Sequence, residues 1–211
     1  MPIVITVAQL KGGVGKTTIA IAIAGELSRR DWDVALVDSD PQRSASYWAA
    51  PGNLHFPVYQ IALATESVSR WVQDVRSIEA GSIVIDTAPS ERDMGASIAL
   101  SDLIVVPCTA SGLDIEATER TMSIIEAVRN KRDTPLRVII VPNRVDARTL
   151  EGRQLADELA AFGEFVSRPI AARSAHVRAF SSGHSIGDFA PNSTSDHEIR
   201  YLCDQIAQSL R

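Results

Sequence analysis

Five short apolar runs dominated by valine and isoleucine recur along the chain: IVITVA (3–8), VALVD (34–38), IVIDTA (83–88), LIVVP (103–107) and VIIVPN (138–143). Their hydrophobicity is nearly continuous, which suits strands covered on both faces. Stretches with helical spacing accompany them at 17–30, 66–78, 93–101, 114–130, 150–162 and 195–210. Strand and helix alternating in this way need right-handed crossovers, and these build a largely parallel sheet with helices on both faces. The expected fold is therefore α/β, a single domain spanning 1–211 with a mostly parallel central sheet, and the 45% hydrophobic content is enough for one sizeable core. The segment HSIGDFAPNSTSD (184–196), with Gly187, Pro191 and several small polar residues, reads as a loop.

In an open parallel sheet, ligands bind beyond the carboxyl ends of the strands. Polar residues gather where the runs end: Asp38 and Asp40 after the second, Asp86 in the third, Asn143 and Asp146 at the fifth. The first run leads into KGGVGKTT (11–18) and then into the helical IAIAIAGELSRR. A glycine loop between strand and helix makes a phosphate site, because its backbone N–H groups and the helix N-terminus surround an anion. Gly12, Gly13 and Gly15 let the main chain come close, and Val14 and Thr18 complete the nucleotide-binding stretch. Lys16 should reach the β- and γ-phosphates, and the Thr17 hydroxyl should bind Mg²⁺. The general phosphate-loop pattern places its first glycine at position 10, where this chain has Leu10 followed by Lys11. The chain has only three lysines, Lys11, Lys16 and Lys131, so the pairing of two in one loop asks for a second task.

Other strand-end residues carry alternatives. Asp40 could orient or deprotonate an attacking water, or cap a helix ahead of Pro41. Asp38 could join a magnesium shell or brace its loop. Asn143 could pair with the N6/N7 edge of adenine by its amide, although NRVD (143–146) also matches the spacing of a guanine-selecting NKxD element, or a plain turn.

The three stretches KGGVGKTT, VALVDSDPQRSASYW and IVIDTAPS resemble the deviant Walker A ATPases of the ParA/MinD group, and most of all short ParA-type partition ATPases. The resemblance is strong from residue 3 to about 110 and looser beyond. It implies ATP and Mg²⁺ as cofactors. It implies also that Lys11 crosses a homodimer interface to the partner's nucleotide, so that Lys11, Lys16 and Asp40 are the catalytic set. Asp86 falls at the Walker B position and would hold Mg²⁺ through water, with Thr17 and Asp38, while TAPS (87–90) would sense the γ-phosphate. Arg173 and Arg178 lie in ARSAHVRAFSSG, similar to the family segment before its last helices. With Lys131, Arg132, Arg148 and Arg200 they are candidates for contacts to a DNA backbone, which are salt-sensitive and independent of sequence.

The function implied is an ATPase switch that dimerises on ATP, binds nucleoid DNA nonspecifically and positions a plasmid, a chromosome region or another cargo. A ParB-like or other adaptor would stimulate hydrolysis. Alternatives are a MinD-like regulator and a metabolic enzyme of the same class, such as a biotin-pathway ligase or an iron protein-like reductase. Against a membrane role, Ile199, Leu202, Ile206 and Leu210 form one stripe whose opposite face is acidic or neutral, as in a helix docked on a core. Cys108 and Cys203 have no Cys/His companions and read as buried thiols. The net charge of −5 argues against a uniformly positive surface, although 129–178 holds ten basic and six acidic residues. No apolar run approaches the ~20 residues of a membrane span, and MPIVITVAQ lacks the features of a signal peptide. A cytoplasmic, nucleoid-associated protein without an N-terminal operator-reading domain is expected.

Overall fold

The computed structural model describes residues 2–63 and 67–211. In chain order the elements are β1 (Ile3–Val7), α1 (Lys16–Arg29), β2 (Val34–Asp38), α2 (Ser44–Ala49), β3 (Val58–Gln60), α3 (Val68–Arg76), β4 (Ser82–Asp86) and α4 (Glu91–Leu100). There follow β5 (Leu103–Cys108), α5 (Gly112–Arg129), β6 (Arg137–Pro142), α6 (Leu150–Ala160), β7 (Phe165–Val166), α7 (Ser174–Ser182), α8 (Ile186–Phe189) and α9 (Thr194–Ser209). All seven strands join one parallel sheet in the order β3-β2-β4-β1-β5-β6-β7.

The continuous apolar runs serve two cores at once, because successive strand residues point to opposite faces. Ile5, Val7, Leu36, Val84, Val105 and Ile139 face α1, α8 and α9, and pack on Ile19, Ile23, Leu27, Ile199, Leu202 and Ile206. From the other face Ile104, Val106, Val138 and Ile140 pack under Met94, Ile98, Ile125 and Leu155. Ala35, Val37, Ile83 and Ile85 pack under Trp71 and Val75 of α3. Each fully buried isoleucine or leucine contributes about 1.5–3 kcal/mol relative to exposure. The stripe of α9 is turned inward, with Ile199, Leu202 and Ile206 buried and Leu210 partly so. Cys108 and Cys203 are both free and buried.

The five expected strands are present, with the third ending at Asp86 rather than residue 88. Two strands lack an apolar run: β3 and β7 are edge strands of three and two residues, too short to show a pattern. The expected start of the second helical stretch, position 66, lies outside the described residues, and α3 runs from Val68. The 184–196 segment is a correction. It contains α8 and the start of α9, each begun by a serine, Ser185 or Ser193, whose side chain accepts from the backbone N–H three residues on. The small polar residues that suggest a loop are here the caps of two helices.

Candidate nucleotide site

Strand register brings the acidic residues together. Asp38 is the register partner of Asp86 across β2 and β4, and Asp86 is the partner of Val7 across β4 and β1. The carboxyl ends of three neighbouring strands thus carry two aspartates and the glycine loop.

The loop is shaped for an anion. Gly13 and Gly15 have φ of 83° and 98°, in the left-handed region that favours glycine. Gly15 is also where α1 begins. A β-carbon there would lie 2.4 Å from Asn143 Nδ2. The helices α3, α4, α6, α8 and α9 are each capped by a serine or threonine side chain, whereas α1 has no side-chain cap. Its first N–H groups are therefore directed to whatever occupies the loop.

The two lysines part ways. Lys16 is buried, and its Nζ folds over the loop to donate to the Lys11 carbonyl at 3.1 Å. Burial holds its pKa below the ordinary lysine value, opposed by the charges of Asp86 and Asp40. Lys11 instead turns its ammonium to Asp114 in the first turn of α5, and the other carboxylate oxygen of Asp114 accepts from Thr109. Behind this arm Gln9 donates to Thr118 at 2.9 Å and accepts from Thr121 at 2.8 Å, tying the end of β1 to α5.

Thr17 Oγ1 donates to Asp86 Oδ2 at 2.6 Å, while Asp86 Oδ1 is buried with no partner. Burial pushes this carboxyl up to about 7, against the pull of the Thr17 hydrogen bond. A hydroxyl beside an orphaned, buried carboxylate oxygen fits the hard-oxygen donor set that magnesium takes. Asp38 is also buried, but its Oδ2 accepts from Ser46 N at 2.8 Å and Ser46 Oγ at 2.7 Å, and its Oδ1 from Asp40 N at 3.3 Å. Of its two expected roles, bracing the loop is the one these bonds describe. Asp40 is no helix cap: its Oδ1 accepts from Gln42 N at 2.8 Å in a turn, and α2 starts only at Ser44.

A cavity of about 880 Å³ opens over these groups. Gly12, Gly13, Gly15, Lys16, Thr17 and Thr18 line one end, with Asp40 nearby; Asn143, Arg144, Ile170 to Ser174, His176, Val177 and Phe180 line the other. Asn143 Nδ2 donates to the Val14 carbonyl at 2.7 Å, which fixes the amide with its nitrogen toward the glycine loop. Asp146 is drawn off by Arg148 at 2.7 Å, whose hydrogen bonds hold its carboxyl at about 2.

The six basic residues offered for DNA do not form one surface. Lys131 and Arg132 lie between the end of α5 and the start of β6, at the strand amino ends, and so opposite the glycine loop. Arg132 is further tied to the Ile98 carbonyl at 2.9 Å. The remaining four follow β6 in the chain. Arg148, Arg173 and Arg200 each pair with an acid, Asp146, Glu198 and Asp196, at 2.7–2.9 Å, and Arg178 is exposed on α7. Sequence reasoning missed Arg144, His176 and Phe180 in the cavity wall, and the Gln9, Thr118, Thr121 and Asp114 network. Arg144, next to Asn143, is the one a strand-end rule could have found.

The family model described as the CobQ/CobB/MinD/ParA nucleotide binding domain matches residues 5–186. The chain belongs to this family. Among its ParA/MinD relatives it is 33% identical over 221 residues to Maintenance of carboxysome distribution protein A of Gloeobacter kilaueensis, covering 99% of this chain and 94% of that protein. It is 29% identical to the Chromosome-partitioning ATPase Soj of Thermus thermophilus, covering 96% and 94%. The fold matches that of a variant of Cyanothece McdA in complex with ATP at a TM-score of 0.75, with 13% identity and 99% and 96% of the two chains covered.

Proposed function

We propose that this ParA/MinD-family chain is an ATP-dependent switch whose two-subunit form binds DNA nonspecifically and positions a cargo. The observation that carries this reading is the divergence of the two lysines. Lys16 stays with its own phosphate loop, whereas the Lys11 side chain leaves the loop and pairs with Asp114 of α5, and in this reading it exchanges that partner for a phosphate of the other subunit.

In this reading the backbone of Gly12 to Gly15 and the free N-terminus of α1 hold the triphosphate, and Lys16 neutralises the β- and γ-phosphates. Val14 and Thr18 complete the loop. Thr17 and Asp86 would hold Mg²⁺, with Asp38 behind them fixing the loop; the ion supplies charge neutralisation at the transferring phosphoryl group. Asp40 lines the cavity and orients the attacking water. The fixed amide of Asn143 leaves its oxygen to accept from the amino group of adenine, in keeping with ATP as the nucleotide. Lys11 of each subunit reaches the partner's phosphates, a compact charge that arginine's planar fork replaces badly.

The arginines after β6, Arg148, Arg173, Arg178 and Arg200, supply the DNA contacts, and a ParB-like or other adaptor stimulates hydrolysis and so releases the dimer. No helix among the described residues is long and apolar enough to cross a membrane, and a nucleoid-associated cytoplasmic protein is the setting this mechanism needs. The domain so defined is 1–211. Binding to an arbitrary DNA duplex is measured with ATP, with ADP and without nucleotide, for the wild type and Lys11→Ala. Binding should require ATP, weaken with salt and vanish in the variant; equal binding in all three nucleotide states would reject the switch.

A further inference from the structure

Among the described residues, five have a buried side-chain oxygen or nitrogen without a partner, and only His176 combines this with a place in the cavity wall. Its Nε2 is shut off from solvent with no hydrogen bond. Leaving such an atom unsatisfied is unfavourable, which is tolerated where a ligand later supplies the partner.

The surroundings say which part of a ligand that is. The phosphate end of the cavity is built of glycines, Lys16 and Thr17. His176 stands at the other end, on α7, among Ile170, Ala171, Val177 and Phe180. Asn143, Arg144, Arg173 and Ser174 share this end with them, and an apolar wall carrying a few placed polar groups suits a heterocycle and its sugar. The charge state agrees. Burial holds the imidazole pKa below its ordinary value despite Glu198, and the neighbouring cations Arg173 and Arg144 lower it further, all of which favours the neutral ring. A neutral ring has one donor and one acceptor nitrogen, matched to ring nitrogens, amino groups and hydroxyls rather than to phosphate oxygens.

We infer that His176 is a nucleoside-binding residue, which turns about its Cβ–Cγ bond to give Nε2 a hydrogen bond to the base or sugar of the nucleotide held by the glycine loop. This rests on the reading of the cavity as a nucleotide site. It adds to that reading a contact from α7, which already shares the cavity wall with Asn143 and Arg144 after β6.

The test uses the whole chain with AMPPNP and Mg²⁺ in one calorimetric titration and inorganic tripolyphosphate in another, for wild type, His176→Phe and His176→Gln. The phenylalanine variant should bind AMPPNP about tenfold more weakly, and the glutamine variant, which keeps a polar group near Nε2, should recover most of the loss. Tripolyphosphate should bind all three alike. In ¹⁵N-labelled wild type the Nε2 resonance of His176 should shift on AMPPNP addition, a readout that needs no variant to fold. Unchanged AMPPNP affinity in His176→Phe, an equal loss toward tripolyphosphate, or an unmoved Nε2 resonance would each overturn the assignment while leaving the nucleotide site standing. Failure of the wild type to bind AMPPNP at all would remove the site and the assignment together.

Discussion

The Lys11 ammonium is paired with the Asp114 carboxylate of the same chain, across 103 residues of sequence, with Lys11 about one-third exposed and Asp114 buried. Removing one member of such a pair leaves the other as an uncompensated charge, and the buried member suffers most. Lys11→Ala should therefore destabilise the nucleotide-free protein by about 1–2 kcal/mol, discounted from the fully buried case because Lys11 is partly in water. Adding Asp114→Asn to that variant should restore part of the loss. A double-mutant cycle by denaturant unfolding measures the coupling, and strictly additive effects would mean that the pair contributes nothing.

The orphaned oxygen of Asp86 gives a pH-dependent signature. Its pKa of about 7 in the nucleotide-free fold lies above the ordinary value of 3.8. Between those values the folded state holds a proton that the unfolded state has lost, so this group's contribution to stability falls as pH rises through about 7. Asp86→Asn should accordingly stabilise the nucleotide-free protein at pH 8 by roughly 1–3 kcal/mol, because it removes a buried charge, while weakening binding of nucleotide with Mg²⁺. In the wild type, uptake of nucleotide with Mg²⁺ at pH 6 should release more protons than at pH 8.5. Titration calorimetry in buffers of different ionisation enthalpy reads that difference directly.

Gly15 is constrained twice, by its φ of 98° and by Asn143 Nδ2 at 2.4 Å from where a β-carbon would lie. Gly15→Ala should destabilise by about 1–3 kcal/mol, the range for a strained backbone residue, and should abolish nucleotide binding. Asn143→Ala in the same chain removes the clash but not the strained φ, so it should recover part of the stability. Thermal unfolding of Gly15→Ala, the double variant and Asn143→Ala alone, which measures the lost bond to the Val14 carbonyl, separates the two terms; full recovery beyond that loss would show that the strain is negligible.

How much of this could be read from the sequence follows from how local each signal is. The glycine loop, Lys16, Thr17 and Asp86 declare themselves because strand, turn and helix are contiguous around them, and register then fixes Asp38 opposite Asp86. Asp114 and His176 declare nothing: each is an ordinary helix residue whose importance comes from a strand end 103 residues away or from a cavity assembled by five segments. The edge strands β3 and β7 escape for a related reason, since partial exposure removes the apolar run that marks the inner strands. Composition misleads at 184–196, where serines that look like loop residues are helix caps. Lys131 and Arg132 are neighbours in the chain of the other basic residues, yet the sheet sets them at the amino ends of the strands, a separation that a run of charges in the sequence does not display.

That separation gives the proposed DNA surface a test. If the DNA surface lies on the side where the glycine loop and the segments after β6 meet, a residue there should matter and one at the strand amino ends should not. Arg178 is exposed on α7, so removing its charge costs the fold little. Arg178→Ala should weaken ATP-dependent DNA binding similarly for unrelated sequences and reduce the slope of log affinity against log salt by about 1. Lys131→Ala removes the same charge from the amino ends of the strands and should leave both the affinity and the slope unchanged. Fluorescence anisotropy over a salt series distinguishes the two, and a loss on Lys131→Ala equal to that on Arg178→Ala would place the DNA surface elsewhere.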